Sequence, residues 1–105
     1  MTKPNPFLWP KGSMIVIKDR FGELRRSTSR WLDLADAIML GTDTRQKTVT
    51  LSFLMKAAEK HDQAERLESL IIHDLCFDGY APKLWRQQPT DPLIAYQWKI
   101  RIKPA

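Results

Sequence analysis

The sequence predicts an α+β domain in two layers: an antiparallel sheet, built from an N-terminal hairpin plus the C-terminal strand, packed on three helices. Three observations carry this. Ile94, Tyr96, Trp98, Ile100 and Ile102 alternate with Ala95, Gln97, Lys99, Arg101 and Lys103, a period of two that turns one face of a strand to the core and a row of cations to water. Met14-Ile15-Val16-Ile17 runs into Asp19-Arg20-Phe21-Gly22, whose first Asp and fourth Gly are the residues a type I turn prefers. The middle of the chain repeats apolar residues at helical spacing, as in Ala64, Leu67, Leu70, Ile71 and Leu75, the pattern of a helix lying on a sheet.

Residues 1–12 read as an extended proline-rich arm, since Pro4, Pro6 and Pro10 exclude helix. Phe7, Leu8 and Trp9 are too apolar for a solvated tail, so they pack back on the domain, complete a sheet edge or dock on a partner subunit. In the hairpin of residues 13–28, a four-residue loop sets Ile17 opposite Leu24 and Val16 opposite Arg25. Ile15, Ile17 and Leu24 then face the core, while Lys18 and Arg25 face out. A slip of one residue would exchange the faces.

Ser29 suits the N-cap of a first helix over residues 30–40, with Gly41 as its stop. Residues 41–47 form a polar loop. Val49, Leu51 and Phe53 alternate as in a short strand or extended lead-in, after which Ser52 caps a second helix ending near Lys60. Asp62 and Glu65 fit a capping box opening a third helix to about Phe77, with Gly79 as its stop, so that the last two helices form a hairpin broken at His61. Pro82, Pro89 and Pro92 mark residues 80–92 as a surface loop anchored by Leu84 and Trp85. Residues 94–103 are the final strand, ended by Pro104 and joined directly to the hairpin.

A chain of 105 residues is one domain, and 43% apolar with 28% charged residues is an ordinary globular composition. Cys76 is the single cysteine, which rules out an internal disulfide; with no signal peptide in view, a reducing cytoplasmic setting is expected. No apolar run approaches a membrane span. The formal net charge of +5 hides an asymmetry. Residues 1–30 hold seven Lys/Arg against two acids, residues 31–82 five against nine, and residues 83–105 five against one. Basic ends and an acidic middle give a cationic sheet side and an anionic helix side.

Catalytic and metal chemistry find little support. The dipeptides His61-Asp62 and His73-Asp74 would stand about 120° apart on one straight helix, and His73 with Cys76 makes only two ligands. Cys76, beside Leu75 and Phe77 at a helix C-terminus, reads as a buried structural thiol. The glycines are scattered, so there is no phosphate loop. No enzyme activity, metal or cofactor is expected. A helix-turn-helix is disfavoured as well, because its reading helix would be acidic and phosphate attraction supplies most DNA affinity.

The cationic sheet face is the candidate binding surface. Lys99, Arg101 and Lys103 stand about 7 Å apart along the last strand. Lys18 and Arg25 join them across the sheet, Arg20, Arg26 and Arg30 lie near the rim, and Trp85 beside Arg86 is the stacking candidate in the long loop. The bland counterpart is a face kept polar for solubility, with a lysine-rich edge strand that discourages aggregation. The expected function is a non-catalytic interaction protein, an adaptor or inhibitor, whose basic face meets an acidic protein partner. The alternative is a nucleic-acid-binding accessory protein without base specificity. Faces of opposite charge also allow a homodimer.

Overall fold

The structure, a computed structural model, describes Trp9 and residues 11–30, 32–39, 46–55 and 63–105. The chain runs β1 (Met14–Asp19), β2 (Gly22–Ser27), α1 (Leu34–Met39), β3 (Lys47–Leu54), α2 (Ala64–Phe77), β4 (Tyr80–Gln87) and β5 (Ile94–Pro104). All five strands form one antiparallel sheet in the order β2-β1-β3-β5-β4. Two helices are found among the described residues, so the expected sheet of hairpin plus final strand on three helices is corrected on both counts.

From Tyr96 onward the last strand is as the alternation predicts; before it the ladder shifts register, pairing Ile94 with Leu54, so Ile94 drops out of the expected core stripe. Trp98, Ile100 and Ile102 are fully buried, while Lys99, Arg101 and Lys103 are exposed. Its neighbours differ from expectation. β3 separates it from the hairpin, pairing Leu51 with Ile17 on one side and with Trp98 on the other. The reason is burial: Val49, Leu51 and Phe53 are all core residues, and a strand shielded on both edges pairs its backbone on both sides. Ser52 therefore lies inside β3, buried, and caps no helix. The second expected helix falls largely on residues 56–62, which lie outside the described residues, as do His61 and Asp62.

The long loop proposed for residues 80–92 is corrected too. Tyr80–Gln87 is an edge strand, pairing Leu84 with Ile100 and Trp85 with Lys99. Pro82 is tolerated there because an edge strand leaves half its N–H groups without a ladder partner. The other edge, β2, carries the turn as read from the sequence: Asp19 Oδ1 accepts the Phe21 amide at 2.8 Å, and Gly22 sits at φ +132°, where a side chain would be strained. The register slips by one beyond that turn. Lys18 pairs with Glu23 but Ile17 with Arg25, leaving Leu24 at an irregularity. Arg25 thus shares the face of Ile17 instead of the outer face, and Leu24 is not a core residue.

Trp9 explains the altered start of α1. Its ring is buried against Phe53, centroids 5.3 Å apart. Its indole N–H donates to the Leu32 carbonyl at 3.2 Å and its amide to the Arg30 carbonyl at 3.3 Å. Carbonyls engaged by Trp9 hold this stretch outside the helix, so the expected cap at Ser29 gives way to Asp33, whose carboxylate accepts the Asp36 amide at 3.1 Å. α2 buries Leu67, Leu70, Ile71 and Leu75, and Gly79 follows it at φ +89° as a helix stop. Together α1, α2 and Trp9 cover one side of the sheet, and among the described residues no helix covers the other.

Trp98→Ala should cost about 3–5 kcal/mol, as truncation of a fully buried aromatic does. The Lys99, Arg101, Lys103 triple alanine variant should stay within about 0.5 kcal/mol per site of the parent. Urea denaturation of both variants checks the contrast.

Candidate functional site

Cross-strand pairing fixes which side chains share the uncovered face. Lys18, Thr50, Lys99 and Trp85 lie in one row across β1, β3, β5 and β4, and Thr48, Arg101 and Lys83 in the next. Lys103 pairs with Ala81 one step further on. Neighbouring strands are about 4.8 Å apart, so these cations form a compact field. Among the described residues no ion pair joins Lys83, Lys99, Arg101 or Lys103 to a carboxylate. Holding like charges together with no acid between them raises the local positive potential, which favours a polyanion.

Trp85 stands within that field. The residue is 38% exposed, and both Lys83 Nζ and Arg101 Cζ lie 5.5 Å from its ring centroid. Such cations hold an indole in place through its quadrupole. The sequence names Trp85 as the stacking candidate, but as a loop residue; a strand supplies it on the same face as the cations. Lys83 is the residue that sequence reading missed. Its signal was the alternation of Ala81, Lys83 and Trp85 with Tyr80, Pro82 and Leu84, obscured by the proline.

The other expected residues divide. Arg86 points to the helix side, where Nη2 and Nε donate to Glu68 Oε1 at 2.6 and 2.9 Å. Arg26 pairs with Glu23 at 2.7 Å and touches Met14 Sδ at 3.4 Å. Arg30 donates to the Trp9 carbonyl at 2.8 Å and acts as a strut. Arg20 lies over the Phe21 ring at 4.6 Å, in the β1–β2 turn. Arg25 is exposed on the helix side. The structure thus brings together Lys18, Trp85, Lys99, Arg101 and Lys103 with Lys83, and does not bring Arg25, Arg30 or Arg86 to them.

The face is not open throughout. Val16 and Ser52 are buried, and the Gln97 amide donates to the Ser52 hydroxyl at 2.9 Å. On the helix side, Cys76 is exposed, which corrects the expectation of a buried thiol. No group of three or more metal-ligating side chains occurs among the described residues.

Glu68 links the two sides. Its Oε1 accepts the Trp98 indole N–H at 2.8 Å together with the Arg86 donors. Burial raises the Glu68 pKa, but the hydrogen bonds from Trp98 and Arg86 and the guanidinium charge outweigh it and hold the carboxyl below the usual carboxylate range. Comparison with family models, curated proteins and solved structures finds no match to this chain.

A carboxyl with a lowered folded-state pKa contributes stability that is complete above its unfolded value, about 4.3, and is lost as pH falls through the folded value. Glu68→Gln should therefore lower stability at neutral pH and flatten the acid limb of the stability profile. Denaturation midpoints across pH 7 to about 3 read this out, and a limb as steep in the variant as in the parent would refute it.

Proposed function

We propose that the protein is a non-catalytic nucleic-acid-binding module that holds the polyanion against the uncovered sheet face without base specificity. The observation that carries this reading is the exposed Trp85 ring, set 5.5 Å from Lys83 and Arg101 and beside Lys99, with no carboxylate paired to these cations among the described residues. Cations along a groove or face supply the phosphate attraction, and an aromatic ring supplies a base-stacking platform that every base can use. The rows display the Thr48 and Thr50 hydroxyls between the cations, groups that can contact phosphate and sugar. A cytoplasmic setting, expected from the single cysteine, belongs to this reading.

An acidic protein partner, the function that the sequence alone favours, keeps one supporting observation: Trp and Arg are the residues most often found as anchors at protein interfaces, and here Trp85 and Arg101 adjoin. An adaptor or inhibitor would use the same face.

Retention of a labelled oligonucleotide should fall steeply with salt, by about 0.7 in log-log slope per phosphate contacted on a single strand, and the Lys99, Arg101, Lys103 triple alanine variant should reduce that slope by about 2. A correctly folded triple variant that keeps full retention refutes nucleic-acid binding through this face. A partner captured in a pull-down that survives nuclease treatment, and is lost with the triple variant, moves the function to the protein-binding reading.

A further inference from the structure

The open part of the uncovered face has a direction. The rows Lys18–Thr50–Lys99–Trp85 and Thr48–Arg101–Lys83 run across the strands, not along them. The first, from β1 to β4, spans three interstrand gaps, about 14 Å, and the second, from β3 to β4, spans two. A path along the strands is closed at one end. Beyond Lys99 the next outward position of β5 is Gln97, its row neighbours Ser52 and Val16 are buried, and the ladder then shifts register at Phe53/Leu54.

At the β1 end of the rows the chain turns through Arg20 and Phe21. Since Lys18 pairs with Thr50, this turn stands level with Thr48 and Arg101. Phe21 is 83% exposed, far more than any other aromatic ring among the described residues. Leaving a phenyl ring in water forgoes about 2 kcal/mol of burial, and the turn itself needs no aromatic there, since Asp19 and Gly22 supply its geometry. The backbone at Phe21 is held by the 2.8 Å bond to Asp19, and Arg20 lies 4.6 Å over the ring. Past the turn, β2 presents Glu23, tied to Arg26 at 2.7 Å, a carboxylate that repels phosphate and ends the track.

Resting on the nucleic-acid reading above, we infer that the ligand is a single-stranded polynucleotide that crosses the sheet at right angles to its strands, stacking one base on Trp85 and another on Phe21. Lys99, Arg101 and Lys18 meet the phosphates between the two rings. Paired bases present no free faces to side-chain rings, so a duplex would use the cations and leave both rings idle. The span suits a site of about four nucleotides, the low end for small single-strand binders.

The test is fluorescence anisotropy at low salt with labelled oligothymidylates of about 3 to 12 nucleotides and with a duplex of the longest, a range bracketing the expected site. Phe21→Ala and Trp85→Ala should each weaken binding of the longer single strands by about 5- to 150-fold. Phe21→Ala should change duplex binding by less than about twofold, and oligonucleotides too short to span both rings should lose their sensitivity to Phe21. Because the Phe21 side chain is exposed, its removal leaves the fold intact, which a denaturation curve verifies. If Phe21→Ala binds every single strand as the parent does, while Trp85→Ala and the triple variant are weakened, the transverse path is refuted and the nucleic-acid reading stands. If none of the variants changes binding, or the parent retains no oligonucleotide, both are refuted.

Discussion

One oxygen of Glu68 receives the indole of Trp98 and two donors of Arg86, and the rest of the architecture depends on that junction. It fastens α2 simultaneously to β5, the strand next to the centre, and to β4, the strand at the edge. A buried indole N–H without an acceptor would cost about 1–3 kcal/mol, so the burial of Trp98 requires a partner on the helix that covers it. The same partner fixes the direction of β4. With Arg86 drawn to the helices, alternation sends Trp85 to the opposite face, among the cations. A contact inside the two-layer packing thereby decides what the outer surface displays.

The division of charge follows from the layering. The outward positions of β1, β3, β5 and β4 carry Lys18, Lys83, Lys99, Arg101 and Lys103 and no acid, whereas α2 carries Glu65, Glu68 and Asp74 against Arg66. Strands with a period of two separate these sets without any special device, because each apolar residue in the core forces its neighbours out to water. Lys83, Lys99, Arg101 and Lys103, which pair with no carboxylate among the described residues, repel one another at a modest cost in water.

Much of this was legible from the chain alone, and the failures have physical causes. β5, the β1–β2 turn and the core face of α2 depend on periodicity and turn chemistry within a few residues, and they stand where the sequence puts them. The strand order is not local: nothing in residues 47–54 states that they separate the hairpin from β5, and only the packing of Val49, Leu51 and Phe53 between two apolar strands does. β4 was hidden because Pro82 reads as a strand breaker, a rule that holds for central strands and relaxes at an edge. The start of α1 was misplaced because Trp9, distant in sequence, occupies the carbonyls of Arg30 and Leu32. At the site, the cations of β5 were readable from alternation, while Arg25 was lost to the irregularity after Ile17 and Lys83 to the misread strand.

The interposed position of β3 also bears on how fast the chain folds. Its partners lie far away on both sides, with Leu51 opposite Ile17 and Trp98, so the centre of the sheet closes only after two long loops have given up their freedom. Topologies dominated by such distant pairings fold in milliseconds to seconds instead of microseconds. During that interval the apolar edge of β3 is bare, and a crowded or overproduced chain would meet its copies there first.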